Sequence, residues 1–115
     1  MQISKHGLEW NVSKSPYNFE SYDSGLEQQM MRRLESDPHV RKWTTRHGIA
    51  IPWIDGQKHL RRYHPDFLVE YEEGSRKLIE TKDKSKIDTD EVRRKRQAAE
   101  LWCKRRGMEY VVVTL

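Results

Sequence analysis

Hydrophobic residues recur with a helical period near the start of the chain. Residues 24–36 carry apolar side chains three to five positions apart, which predicts a helix with one apolar face. The apolar positions are Leu26, Met30, Met31 and Leu34. Ser24 and Glu27 have the spacing of a capping box at the helix start, and Pro38 ends the helix because the residue before a proline disfavours the helical backbone.

The rest of the chain combines strand patterns with a second helical pattern. Turn signals at Asp55–Gly56 and Glu73–Gly74 predict antiparallel hairpins between the first three strands. The predicted strands cover residues 43–54, 59–72, 76–82 and 109–115. A helix is predicted from 91 to 106, with Gly107 as its C-cap glycine.

These elements predict an α/β fold, an α+β mixed sheet in the order α-β-β-β-α-β. The last strand follows a helical crossover, so we expect it to pair parallel to an earlier strand. Its continuous run of valines, 111–113, predicts a strand buried on both faces. Residues 1–22 have no clear period and are interpreted as a lead-in segment or a short hairpin, which leaves 23–115 as the domain. Its aromatic residues, Trp10, Tyr17, Phe19 and Tyr22, are candidates for docking it onto the domain.

Composition narrows the class of protein. The 115 residues predict one domain, with 35% of the residues charged and a net charge of +4. Cys103 is the only cysteine, so neither a disulfide nor a zinc knuckle is expected, and Cys103 is interpreted as a packing residue. There is no apolar run of membrane-spanning length, and we expect a cytoplasmic protein with no membrane partner.

Acidic residues and a lysine are predicted to meet at one end of the sheet. Asp66 begins one strand and Glu80 lies in the next, so antiparallel pairing brings the two carboxylates together. Lys82 lies two residues beyond Glu80 and therefore shares its face of the strand. Two carboxylates suit Mg²⁺, with the carbonyl of Thr81 as a further oxygen ligand. A Glu-x-Lys triplet alone is weak evidence, since an exposed salt bridge would have the same pattern.

In this order the motifs resemble a known family. Pro65–Asp66 followed by Glu80–Thr81–Lys82 resembles the PD-(D/E)XK nuclease signature, and the predicted element order is that of the restriction-endonuclease-like core. The resemblance extends over about residues 20–115. It is closest to the nuclease region of type III-like restriction subunits and to transposon-encoded endonucleases of the TnsA type.

The resemblance implies Mg²⁺-dependent hydrolysis of DNA, with Mn²⁺ as a substitute metal. Asp66 and Glu80 would bind the metal, and Lys82 would orient the attacking water or stabilise its hydroxide. Glu27 matches a further glutamate that the family often has on its first helix, although a capping box explains it nearly as well. Lys95, with Gln97 as the second choice, matches a polar residue on the second helix. A lysine at the edge of the core explains Lys95 equally well.

Basic residues near this end of the fold are candidates for phosphate contacts. They are Arg61, Arg62, Lys84, Lys86, Arg93, Lys95 and Arg96. Phosphate contacts do not specify sequence, and no base-reading motif occurs, so target choice is expected from a helicase, targeting or transposase partner. Double-strand cleavage would suit a homodimer. His64 lies close to Asp66 in sequence, but a surface histidine is the commoner explanation.

The sequence therefore predicts a DNA endonuclease domain that serves restriction, phage defence or transposition. The alternative is a catalytically silent module of the same fold that binds nucleic acid or supports assembly. The basic helix, with its run of arginine and lysine from Arg93 to Arg96, is compatible with either function.

Overall fold

The computed structural model describes residues 7–10 and 12–115. Two α-helices, one 3-10 helix and eight strands form this part of the chain. The elements are β1 (Gly7–Trp10), β2 (Phe19–Tyr22), α1 (Gly25–Ser36), β3 (Val40–Thr44), β4 (Ile51–Ile54), β5 (Leu60–Tyr63), β6 (Phe67–Tyr71), β7 (Arg76–Thr81), a 3-10 helix (Lys84–Lys86), α2 (Asp90–Lys104) and β8 (Glu109–Val113).

A central four-stranded sheet has the strand order β3-β6-β7-β8. β3, β6 and β7 are antiparallel neighbours, and β8 adds parallel to β7 after the α2 crossover. The predicted mixed α/β fold is therefore confirmed, and so is the parallel last strand. Within this sheet and its two helices the order is α-β-β-β-α-β, as predicted.

The prediction of a simple three-strand meander is wrong. The predicted strand over 43–54 is two strands, β3 and β4, which belong to different sheets. Gly48 has φ of 70° in the polar connection between them. The predicted strand over 59–72 is also two strands, β5 and β6, separated at His64–Asp66. Pro65 has no amide hydrogen for a strand ladder, which explains the break at that point.

β4 and β5 form a separate hairpin that turns just after Ile54, where the Asp55–Gly56 signal predicted a turn. The residue with a left-handed backbone is Lys58, with φ of 65°, rather than Gly56. Asp55 organises the turn, because its carboxylate accepts hydrogen bonds from the amides of Gln57 and His59. Gly56 instead lies against Asp90 at the start of α2, where a Cβ would come within 3.2 Å of a carboxylate oxygen.

Each face of the central sheet has its own apolar cluster. On one face α1 buries Met30, Met31 and Leu34 against residues that include Trp43 and Phe67. On the other face α2 buries Ala99 and Cys103 against the β4–β5 hairpin. Neighbouring residues of β7 divide between the clusters, which confirms the predicted period of two along this strand.

The helix caps are as predicted, whereas the burial of the last strand is not. The side chain of Ser24 accepts a hydrogen bond from the amide of Glu27, and Thr89 caps α2 in the same way. Gly107 has φ of 67° after α2, as a C-cap glycine requires. The prediction that the last strand is buried on both faces is wrong, because β8 is an edge strand whose valines are half-buried.

The N-terminal hairpin of β1 and β2 packs on the α1 side of the sheet. Val12 and Tyr22 belong to the same apolar cluster as α1. Glu20, on β2, is fully buried and reaches the loop that follows β3. Residues 12–22 thus contribute to the core, and a domain boundary at residue 23 stays a prediction.

Candidate active site

Asp66 and Glu80 meet where β6 begins and β7 ends. The amide of Asp66 donates a hydrogen bond to Oε1 of Glu80 at 3.1 Å. In return, the amide and the hydroxyl of Thr81 both donate to Oδ2 of Asp66 at 2.8 Å. Antiparallel pairing produces this crossed arrangement, because Phe67 lies opposite Ile79 in the ladder. The pairing that was predicted from the two turns therefore brings these residues together.

Lys82 reaches the same point from the end of β7. Its ammonium group lies 3.2 Å from Oε2 of Glu80, and the exposed fractions of the two side chains are 25% and 9%. The Lys82 amide donates to the carbonyl of Val113 at 3.0 Å, so the pairing with the chain after β7 continues past the strand end. A nearly buried carboxylate is unfavourable without a partner, and Lys82 supplies one.

The carboxyl groups of the site are held in conditions that disfavour negative charge. Burial and the nearby carboxyl of Glu27 raise the pKa of Asp66 to about 7, although hydrogen bonds from Thr81 oppose the shift. Burial and the charge of Asp66 also raise the pKa of Glu80, against the effects of Tyr63 and Lys82. Two carboxyl groups with raised pKa values in one place are typical of a functional site.

Glu27 combines a capping contact with a position beside Asp66. Its amide is capped by Ser24, and its carboxylate accepts a hydrogen bond from the amide of Asp23. The same carboxyl group also lies beside Asp66, whose pKa it raises. The structure therefore places Glu27 next to the Asp66–Glu80 pair as part of the first turn of α1.

Tyr63 is a site residue that sequence reasoning missed. Its hydroxyl group lowers the pKa of Glu80, and it lies 2.8 Å from the hydroxyl of Tyr110 on β8. Lys95 lies over the Tyr63 ring at 5.3 Å and pairs with Glu91 on its own helix. Lys95 thus approaches the site through Tyr63, whereas Gln97 is exposed on α2. No local motif distinguishes Tyr63, since its contacts depend on the β4–β5 hairpin.

The histidines near Asp66 take structural positions. His64 Nδ1 lies 2.9 Å from the carbonyl of Ile49, and no contact joins His64 to the carboxylates among the described residues. His47, which no sequence motif distinguishes, contacts the carbonyl of Pro65 directly before Asp66. Cys103 is buried in the core, as expected of a packing residue, and burial raises its pKa to about 11.

The donor set of the site fits a hard divalent cation with few protein ligands. Within residues 7–10 and 12–115 no three His, Cys, Asp or Glu side chains are grouped closely enough to enclose a metal ion. Mg²⁺ in nucleases and kinases is commonly held by one or two carboxylates, with water and phosphate as the other ligands. Asp66 and Glu80 meet that requirement, and a cation would relieve the crowding of negative charge between them. Thr81 contacts the site through its amide and hydroxyl, which bind Asp66.

The predicted phosphate-binding residues fall into two groups. Four of them are paired with acidic side chains of the chain itself: Arg61, Arg93, Lys95 and Arg96. Arg62, Lys84 and Lys86 are exposed and have no acidic partner within 4.0 Å in the described part of the chain. Lys84 and Lys86 lie in the 3-10 helix that directly follows Lys82. This second group is therefore the one free to meet a phosphate backbone.

A comparison with protein families identifies the family to which this chain belongs. A family described as TnsA-like endonuclease N terminal matches residues 37–115. The chain belongs to the TnsA-like endonuclease N-terminal family. The match includes Asp66, Glu80 and Lys82, while Glu27 and the N-terminal hairpin lie before it. The PD-(D/E)XK resemblance and its TnsA-type branch are thereby confirmed.

Two further findings concern this TnsA-like chain. A search of curated proteins found no match to it. Neither α-helix in the described residues is long and apolar enough to cross a membrane.

Proposed function

We propose that this TnsA-like domain is a metal-dependent DNA endonuclease that works in transposition beside a transposase partner. The observation that carries the proposal is the meeting of Asp66, Glu80 and Lys82 at the junction of β6 and β7. Two carboxylates and an ammonium group, all largely withdrawn from water, are costly to maintain without a function. The family match supports the nuclease class and its link to transposition.

Asp66 and Glu80 would hold Mg²⁺, or Mn²⁺ in its place, and Glu27 is near enough to Asp66 to act with them. The carbonyl of Thr81 is a further candidate ligand. When bound, the metal would stabilise charge on the phosphate and lower the pKa of a bound water. Thr81 orients Asp66 through two hydrogen bonds, and Lys82 pairs with Glu80, so the carboxylates are held in place before a metal arrives.

Lys82 would act as a fixed positive charge toward the attacking water and the scissile phosphate. Its ammonium group is held by Glu80 at 3.2 Å and by a backbone that pairs with β8. A charge in a poorly solvated place stabilises a developing anion more strongly than one in bulk water.

The three unpaired basic residues, Arg62, Lys84 and Lys86, would bind the DNA backbone next to the cleavage site. Three phosphate contacts predict that log K for duplex DNA falls with log salt concentration with a slope of about −3. Such contacts carry no sequence information. Target choice would therefore come from the transposase or another targeting partner, and a homodimer would allow both strands to be cut.

Cleavage of supercoiled plasmid tests the proposal. We expect nicking or linearisation with Mg²⁺ or Mn²⁺, and a loss of about 100-fold or more in Lys82→Gln, which replaces the ammonium group with a shorter, uncharged polar side chain. Lys77→Gln is the matched control, because Lys77 lies on the same strand but pairs with Glu109 instead of the site. Undiminished cleavage by pure Lys82→Gln would refute the mechanism.

The second candidate function is a module that binds DNA without cutting it. It is favoured by the exposed basic residues Arg62, Lys84 and Lys86, which would bind a phosphate backbone without any metal. Titration calorimetry with Mn²⁺ separates the two candidates. The enzyme should bind Mn²⁺ in a manner that Asp66→Asn abolishes and that Asp88→Asn, at an exposed position, leaves intact. Salt-dependent DNA binding without any Mn²⁺ binding would favour the silent module.

A further inference from the structure

The loop between β3 and β4 is hydrogen-bonded to the segment that carries Asp66. His47 Nε2 lies 2.6 Å from the carbonyl oxygen of Pro65. The amide of Ile49 donates to His47 Nδ1 at 3.0 Å, and the carbonyl of Ile49 lies 2.9 Å from Nδ1 of His64. The two stretches of chain are therefore joined by contacts at Pro65 and at His64 directly before it.

These contacts determine which nitrogen of His47 carries the proton. Nδ1 accepts a hydrogen bond from the Ile49 amide, so it carries no hydrogen. The Pro65 carbonyl can only accept, so Nε2 must be the protonated nitrogen that donates to it. His47 is thus a neutral ring in one tautomer, with one nitrogen fixed by its own loop and the other fixed on Pro65.

The Pro65 carbonyl and the Asp66 amide belong to one planar peptide unit. His47 binds the carbonyl edge of this unit, and Glu80 accepts from its amide edge at 3.1 Å. The plane of the peptide is therefore held from opposite sides. Since the Asp66 side chain leaves the backbone directly after this peptide, its direction toward Thr81 depends on the same plane.

The His47 loop is itself anchored from the N-terminal hairpin. Glu20 is fully buried, and its Oε1 accepts from the amide and the hydroxyl of Thr45 at 2.9 and 2.8 Å. Its Oε2 accepts from Thr44 at 2.9 Å and also from Ser15. Arg46 adds a contact of 3.7 Å between its guanidinium group and the ring of Tyr17. The residues just before His47 are consequently fixed by a charged group in the core.

We propose that His47 is a positioning residue of the nuclease site: it holds the Pro65–Asp66 peptide so that Asp66 and Glu80 face a common point. Glu20 supports this role by fixing the loop that carries His47. The inference rests on the proposed function for its catalytic meaning, but the contact itself can be tested without metal or DNA.

Two substitutions separate the two hydrogen bonds of His47. In His47→Gln, the amide nitrogen is as many bonds from Cβ as Nε2 is, so it can still donate to Pro65. In His47→Asn, the side-chain oxygen stands where Nδ1 stood and can accept from Ile49, but nothing reaches Pro65. Both variants are uncharged and polar, so each is the matched control of the other.

The first measurement is amide hydrogen exchange followed by NMR, with no metal or DNA present. We expect the Asp66 amide to exchange about tenfold faster in His47→Asn and at nearly the wild-type rate in His47→Gln. The Val69 amide, in the same strand, should keep its rate in both variants. The proposal would be overturned if the Asp66 amide exchanged at the same rate in wild type and both variants. It would also be overturned if exchange were accelerated equally in His47→Gln and His47→Asn.

The second measurement is the cleavage rate of plasmid DNA with Mn²⁺. Supporting residues around a metal site commonly contribute about 10- to 100-fold to activity or metal affinity. We expect a loss of that size in kcat for His47→Asn with little change in KM, and recovery in His47→Gln. If wild type neither binds Mn²⁺ nor cleaves, the proposed function fails, while the exchange data still decide whether His47 positions Asp66. Wild-type kcat in His47→Asn would overturn its role in catalysis.

Discussion

At the scale of single residues, the charge of Asp66 lowers the stability of the fold, and the same carboxylate is the proposed metal ligand. It lies in a half-buried position beside Glu27 and Glu80, where its charge is poorly solvated. An isolated carboxyl group titrates near pH 4, whereas that of Asp66 has a pKa of about 7 in the folded protein. The folded state therefore binds a proton between these two pH values that the unfolded state does not bind.

This difference predicts how stability depends on pH. Because the folded-state pKa is raised, the free energy of unfolding falls as pH rises from about 4 to about 7, and the loss is complete above that range. Asp66→Asn removes the titrating group but keeps an oxygen that accepts from Thr81. We expect Asp66→Asn to be more stable than wild type at pH 8 by about 1–3 kcal/mol, and the two to be nearly equal at pH 4.

Urea denaturation at the two pH values measures this prediction. Asp88→Asn is the control, since Asp88 is exposed and should leave stability unchanged at either pH. A variant at Asp66 that is less stable than wild type at pH 8 would show that hydrogen bonding, not charge, dominates at this position.

At the scale of elements, the start of α1 serves both the helix and the site. Ser24 and Glu27 form the cap, and Glu27 also lies beside Asp66. The same glutamate thus links the helix terminus to the end of the central sheet. A carboxylate near a helix N-terminus is stabilised by the helix dipole, which explains why a third acidic group is tolerated there.

Two substitutions separate these functions of the α1 terminus. Ser24→Ala removes the acceptor for the Glu27 amide and should cost about 1 kcal/mol of stability, with Mn²⁺ binding unchanged.

Glu27→Gln keeps an oxygen for the Asp23 amide, so we expect a stability change below about 0.5 kcal/mol. We also expect a lower pKa of Asp66, because a negative neighbour is lost. Urea denaturation and a carbon-13 NMR titration of Asp66 measure the two effects. An unchanged pKa of Asp66 in Glu27→Gln would show that Glu27 acts only in the helix cap.

At the scale of the whole molecule, the sequence predicts the central sheet better than it predicts the β1–β2 and β4–β5 hairpins. Glu80 and Lys82 could be assigned to one face because strand geometry is local, and Asp66 followed from pairing across a short turn. The antiparallel pairing across Asp55–Gly56 was predicted, but the separation of the β4–β5 hairpin from the central sheet was not, because its alternation is the same as that of a central strand. Pro65 was the available sign of the break between β5 and β6.

The contacts that the sequence could not predict are the long-range ones. His47 and Pro65 are 18 residues apart, and Tyr63 and Tyr110 are 47 apart. Neither pair has a spacing that a motif could fix, because the connecting loops decide the distance. The N-terminal segment could be interpreted only as a lead-in segment or a short hairpin for a similar reason: its polar composition conceals Glu20, whose carboxyl group lies at the centre of a buried network.

The packing of this hairpin predicts the result of cutting the chain at the proposed boundary. A chain of residues 23–115 loses Val12 and Tyr22 from the core and leaves the hydroxyls of Thr44 and Thr45 without Glu20. Each buried apolar side chain contributes about 1.5–3 kcal/mol, so we expect the shortened chain to lose 3 kcal/mol or more, on the order of half of a small domain's stability.

Thermal and urea denaturation of the full and shortened chains measure the loss. If the shortened chain does not fold, Tyr22→Ala in the full chain gives a second measure, with an expected cost of about 3 kcal/mol. Leu8→Ser, at an exposed position of the same hairpin, should change stability by less than about 0.5 kcal/mol. A shortened chain as stable as the full one would show that residues 1–22 do not contribute to stability. It would also remove the anchor that we assign to the His47 loop, since Glu20 holds that loop from the hairpin.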